Sequence, residues 1–157
     1  MKKTYLTESG LHKLEAELED LKVNKRKEVA ITIKEAREQG DLSENAEYDA
    51  AMDEQRDIEA RIEEIEKILK NAEVIFSDDV DPSEIGLGCQ VKLFDETFEE
   101  EVLYSIVGTI EANSKKGKIS NESPVGLALM GKKVGDVAVV ETMAGEMSYR
   151  VMEISVM

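Results

Sequence analysis

Residues 40–48 read Gly40-Asp41-Leu42-Ser43-Glu44-Asn45-Ala46-Glu47-Tyr48, a few turn formers running into a helix start. On both sides lie long segments whose apolar residues recur every three or four positions, the spacing of one helix face. Upstream, Leu11, Leu14, Leu18 and Leu21 set the pattern, and Val29, Ile33 and Ala36 continue it after an interruption at Lys25. Downstream, the line is Tyr48, Met52 (or Ala51), Gln55, Ile58, Ile62, Ile65 and Leu69. Two such helices joined by so short a connection predict an antiparallel helical hairpin. Thr7 fits the N-cap of the first helix, with Glu8 in its first turn and Leu6 and Leu11 as a hydrophobic staple. Gly40 is placed to terminate it. From Thr7 to Gln39 this helix would be about 50 Å long, so much of it is expected to project. The second helix is expected to start near Ser43 or Glu44.

Beyond the hairpin the pattern changes. The stretch SDDVDPSEIGLG, residues 77–88, is rich in turn formers and carries Pro82, Gly86 and Gly88. It predicts a boundary between an N-terminal hairpin, residues 1–77, and a C-terminal domain, residues 78–157. In the second segment CQVKLF, EVLYSIVGTI, GKIS, DVAVVET and EMSYRVMEISV are rich in β-branched residues or alternate with period two, and read as strands. One short helix is expected among them, with Ser123 as N-cap, Pro124 at its first position and Gly131 past its end. Ala144-Gly145 predicts a hairpin between the last two strands. The fold class is α+β: a helical hairpin plus a β-rich domain with one short helix.

Composition narrows the chemistry. Of 157 residues 35% are charged and 4% aromatic, and the formal net charge is −15. Such a surface argues against diffuse binding to a nucleic-acid backbone, leaving local basic patches or a partner for any such contact. Cys89 and His12 are the sole cysteine and histidine. An internal disulfide framework is excluded, and a reducing, cytoplasmic setting is expected. Zinc sites and Ser-His or Cys-His nucleophile pairs lack the residues they need. Metal binding would have to use carboxylates, which suits Mg²⁺. MKKTYLTESG lacks an apolar run of signal-peptide length, and VGLALM is far too short to span a bilayer.

Asp41 and Glu44 lie three residues apart across a turn that enters a helix, so their carboxylates can converge. Two hard oxygen ligands are half of a Mg²⁺ site that a partner would complete. Acids and serine at a helix start are equally what capping and the helix dipole favour, and local spacing leaves both readings open. Lys22, Lys25, Arg26 and Lys27 cluster on the first helix, and Arg26, Ala30, Lys34 and Arg37 share one face toward the turn. Such a stripe either pairs with acids one turn away or holds a phosphate backbone next to the tip. Ser120-Asn121-Glu122-Ser123-Pro124 reads first as a strand-to-helix turn. Tyr104 and Tyr149 read as core residues, and His12 and Cys89 as packing or surface residues.

The segment GDLSENAEYDAA, with IKEAREQ before it and DEQ after it, resembles the signature region of the bacterial Gre transcript cleavage factors. The resemblance extends along the chain through YLTESGLHKLEAEL, IVGTIEAN, ISNESPVGLALMGKKVGD and the AGE hairpin. It implies a coiled-coil hairpin followed by an FKBP-like domain. It also implies RNA polymerase as partner, with no small-molecule substrate and no membrane. The C-terminal domain would dock on a β′ coiled coil at the rim of the secondary channel, through Glu122, Ser123 and Pro124. The hairpin would reach the polymerase active site. There Asp41 and Glu44 would assist its Mg²⁺ in cleaving the 3′ end of backtracked nascent RNA, the ion being shared with the polymerase rather than bound alone. Lys34, Arg37 and Tyr48 match the residues that contact RNA. By this resemblance the protein is no enzyme alone. Met52 stands where many relatives carry Lys.

Three other readings compete. A channel-binding inhibitor of the same fold would carry a more acidic tip than GDLSEN. A prolyl isomerase would need an aromatic-lined pocket, for which Phe94, Phe98, Tyr104 and Tyr149 are a thin supply. A coiled-coil adaptor would need an apolar stripe exceeding what the hairpin itself consumes.

Overall fold

The computed structural model describes residues 3–40 and 45–157. They fall into two compact units, one of Leu11–Asn71 and one combining the chain up to Gly10 with Ala72–Met157. Helix α1 spans Glu8–Asp20, a π-helical turn follows at Leu21–Lys25, and α2 spans Arg26–Glu38. Thr7 caps α1 as expected, its Oγ1 accepting from the Gly10 N–H at 3.2 Å. Gly40, at φ 113°, takes the left-handed position after α2 that its lack of a side chain allows. Helix α3 spans Ala46–Lys70. The expected start at Ser43 or Glu44 is therefore corrected, because Asn45 is the N-cap and its side chain accepts from the Tyr48 N–H.

The π-helical turn explains the break at Lys25. Leu21 and Val29 are eight residues apart, which overshoots two α-helical turns by about 80°. A wider i→i+5 turn rotates less per residue and absorbs that excess. Val29 and Ile33 consequently bury with Ala51, Ile58 and Ile62, and Leu18, Leu21, Tyr48 and Met52 pack against them. The arms are also tied by charge. Arg61 pairs with Glu17 through two bonds of 2.7 and 2.8 Å, and Arg26 pairs with Glu59 in the same fork geometry. The hydrogen bonds from Arg61 and Arg26 hold the Glu17 and Glu59 carboxyls below their ordinary range. Val23 and Ile31 are the large exposed apolar side chains among the described residues of the hairpin. Most of the stripe is thus used within the hairpin, which leaves the adaptor reading little apolar surface among the described residues.

The second unit contains two sheets. Strands β1 (Thr4–Thr7) and β2 (Ala72–Ile75) pair in parallel, from Thr4↔Ala72 to Thr7↔Ile75. Neither strand was expected from the sequence. A cut at 77/78 leaves both on the hairpin side, whereas by contact they belong with the C-terminal strands. The larger sheet has β3 (Cys89–Asp95), β4 (Glu100–Val107), β5 (Lys118–Ser120), β6 (Val137–Thr142) and β7 (Gly145–Val156), in the order β5-β4-β3-β7-β6. All neighbours are antiparallel except β4 and β5. Helix α4 (Pro124–Leu129) runs from Ser123 to the left-handed Gly131, as its sequence predicts.

The core of this unit comprises Val91, Leu93, Ile106, Leu129, Val140, Tyr149 and their neighbours. Burial pushes the Tyr149 hydroxyl up to about 12, with Tyr104 and Asp95 adding to the effect. Cys89 is fully buried, and desolvation raises its thiol pKa, as suits a packing residue. Phe98 stands two-thirds exposed beyond β3. With Tyr149 in the core and Phe98 in solvent, the aromatic supply gives the prolyl-isomerase reading no support. The chain is α+β, a helical hairpin joined to a β-rich unit with one short helix. No helix among the described residues is long and apolar enough to cross a membrane.

Candidate functional site

Asp41 and Glu44 lie outside the described residues, and the structure defines the frame on either side of them. Asn45 builds that frame with both ends of its carboxamide. Its Oδ1 accepts from the Tyr48 N–H at 3.0 Å, and its Nδ2 donates to the Ala36 carbonyl oxygen at 2.6 Å. One side chain therefore satisfies an orphan donor at the start of α3 and gives a second donor to the Ala36 carbonyl near the end of α2, which also accepts from the Gln39 N–H at 3.2 Å. Capping at α3 is thus carried out by Asn45. Sequence reasoning missed this residue because Ser43, Glu44 and Asn45 all suit a helix start. Ala36 is 2% exposed, which marks how closely the arms approach there.

The basic stripe divides. Lys22, Lys25 and Arg26 pair with Glu66, Glu28 and Glu59, the bland outcome for charges on a long helix. Lys34 and Arg37, nearer the tip, are exposed on the last turns of α2, and neither forms an ion pair with another described residue. Tyr48 is half-buried against the hairpin core, so its position is fixed while part of it stays open. Met52, also half-buried, packs in the same cluster, where a Lys would leave less apolar cover. Among the described residues no group of three or more His, Cys, Asp or Glu is arranged to hold a metal ion.

Glu122, Ser123 and Pro124 form the turn between β5 and α4. Ser123 is occupied by the fold: its Oγ donates to the Ser120 carbonyl at 2.7 Å and accepts from the Gly126 N–H at 3.1 Å. Gly126 permits this approach, since a Cβ there would meet the Ser120 carbonyl oxygen at 1.9 Å. Glu122 closes a ring of hydrogen bonds. Its N–H donates to Ser120 Oγ at 3.0 Å, Ser120 Oγ and Thr109 Oγ1 are 3.0 Å apart, and Thr109 Oγ1 donates to Glu122 Oε2 at 3.0 Å. Each hydroxyl donates once and accepts once. The Glu122 carboxylate is held in place at the surface, beside the exposed Pro124 and Leu127. Thr109 was not identified from the sequence, because nothing local ties it to a residue thirteen positions away.

The family model described as transcription elongation factor, N-terminal, matches residues 4–74, and that described as transcription elongation factor, GreA/GreB, C-terminal, matches residues 80–156. The chain is 64% identical to a protein of Lachnoclostridium phytofermentans described as transcription elongation factor GreA, over 98% of this chain and 96% of that protein. It is 55% identical to one of the same description from Caldanaerobacter subterraneus subsp. tengcongensis, over 98% of each. A crystal structure of GreA factor homolog 1 from Thermus thermophilus is 33% identical over 98% of this chain and 99% of that one, with a TM-score of 0.45. Two family models in order along nearly the whole chain, and relatives above half identity, show that this chain belongs to the GreA/GreB family of transcription elongation factors.

Proposed function

We propose that the protein binds RNA polymerase and stimulates the polymerase's own cleavage of backtracked RNA. The turn at Glu122, Ser123 and Pro124 docks on the β′ coiled coil at the rim of the secondary channel. The tip of the hairpin reaches the active site. Asp41 and Glu44 are the residues that would help hold a Mg²⁺ ion there. When bound, that ion supplies charge stabilisation for an in-line phosphoryl displacement. Carboxylate oxygens are the donors such an ion prefers, and a pair of them suits an ion whose remaining ligands come from elsewhere. Lys34 and Arg37 supply positive charge for the RNA phosphates, and Tyr48 offers its open surface to the extruded 3′ end. Ser123 serves the turn through its shape, because its hydroxyl is already committed to α4.

What supports this reading above all is membership of the GreA/GreB family along nearly the whole chain, and the N-cap of α3 is filled by Asn45. The elongation-factor description of the relatives favours stimulation over a channel-blocking inhibitor. A protein acting in this way works in the cytoplasm and completes a catalytic centre that belongs to its partner. The test is to add the protein with Mg²⁺ to a stalled, backtracked transcription complex and follow RNA length. Shortening from the 3′ end and then resumed elongation is expected. RNA that stays at full length while polymerase is bound would favour the inhibitor. Glu122→Lys should weaken polymerase binding at least tenfold while leaving the hairpin folded, the scale on which a held charge at an interface acts. Unchanged affinity would sink the docking assignment.

A further inference from the structure

We propose that the 3-10 turn at Thr109–Glu111 couples the docking turn to the root of α1, with Glu111 a positioning residue for the proposed cleavage; the inference rests on that function. The turn is two-sided. Thr109 holds Glu122 and Ser120 through the hydrogen-bond ring. Two residues on, Glu111 grips the cap of α1: its Oε2 accepts from the Thr7 N–H at 2.7 Å and its Oε1 from Thr7 Oγ1 at 2.6 Å. Thr7 Oγ1 in turn accepts from the Gly10 N–H. A carboxylate on the first turn of a helix also complements its dipole.

Two glycines make room for this joint. A Cβ on Gly10 would lie 2.2 Å from Glu111 Cδ, and one on Gly108 would lie 2.0 Å from the Tyr5 carbonyl oxygen. Gly10 sits inside a helix, where alanine is ordinarily preferred, so its presence there has a local cause in the carboxylate packed against it. The same three-residue turn therefore touches the acid assigned to docking and the cap of the helix that continues as the first arm of the hairpin.

The experiment uses the full-length protein on stalled complexes. It measures the half-saturating concentration and the cleavage rate at saturation separately. Glu111→Ala and Gly10→Ala should each lower the saturating rate about fivefold, the factor one hydrogen bond of ordinary net strength is worth, with half-saturation unchanged. Glu111→Gln, which keeps one acceptor, should recover part of the rate. The Gly10→Ala, Glu111→Ala double variant should match the single variants, because both act on one contact. Faster hydrogen exchange at the Thr7 amide of the free protein verifies that the contact has opened. An opened contact with a wild-type saturating rate, or a loss confined to half-saturation, overturns the inference. Losses that multiply in the double variant overturn it too. A wild-type protein that leaves the RNA intact removes the cleavage reading and this inference together.

Discussion

Asn45 holds two elements with one side chain, and its neighbours show why that was hard to read. Ser43 and Asn45 are both good N-caps and Glu44 suits a first turn, so local preference alone does not choose between them. The choice goes with the Ala36 carbonyl nine residues upstream, to which the Asn45 amide nitrogen donates while its oxygen caps α3. Asn45→Ala should lower hairpin stability by about 1–2 kcal/mol through the lost cap alone, read from the thermal melt of the helical signal. Asn45→Asp keeps an acceptor for the Tyr48 N–H and loses the donor to Ala36, so it should recover only part of that loss. Equal melting of Asn45→Asp and the wild type would show that the bond to Ala36 contributes nothing. The tip acids were legible in a different way. Their spacing suggested a half-site, and the motif around them supplied the role.

At the scale of elements, the hairpin was legible because its apolar period is strong, and even its defect had a trace. The interruption at Lys25 marks the π-helical turn, although periodicity alone could not say how the stripe is restored. Deleting Asn24 would leave Leu21 and Val29 seven positions apart, about 20° short of two turns. The deletion should therefore be tolerated, lowering the melting temperature by only a few degrees. An extra alanine after Thr32 should lower it far more, since it would turn Ile33 and Ala36 out of register by about 100°. If the deletion unfolds the hairpin as the insertion does, the π-helical account is wrong.

The Arg61–Glu17 pair gives a second handle on the same element. Glu17 has a folded-state pKa below its ordinary 4.5 because Arg61 donates to it. A group shifted down contributes stability above its unfolded pKa, and that contribution fades as pH falls through the folded value. Melting of the hairpin should therefore decline as pH drops below about 4.5, and Arg61→Ala should flatten that decline. Strands β1 and β2 were not legible. They are four residues each and pair in parallel across 68 positions, and TYLT alone reads as the lead-in to a helix. Their pairing draws the first residues of the chain into the C-terminal unit.

For the whole molecule, an acidic chain is expected to act on nucleic acid through a partner. The two units divide the proposed work, one docking and one carrying the tip acids. Lys34 and Arg37 form no ion pair with another described residue, while Lys22 and Arg26, farther from the tip, pair the arms. The α+β organisation and the family were legible from the chain. The ring at Glu122 and the grip of Glu111 were not, because each joins residues brought together only by the sheet. The central claim is that the tip supplies carboxylates to a catalytic centre owned by polymerase. It is tested most directly by comparing the wild type with the Asp41→Ala, Glu44→Ala double variant on one backtracked complex, reading polymerase affinity and RNA cleavage side by side. The account predicts unchanged affinity and a loss of stimulated cleavage of at least about a hundredfold, the scale on which groups aimed at developing charge act. A double variant that binds and cleaves like the wild type would contradict it.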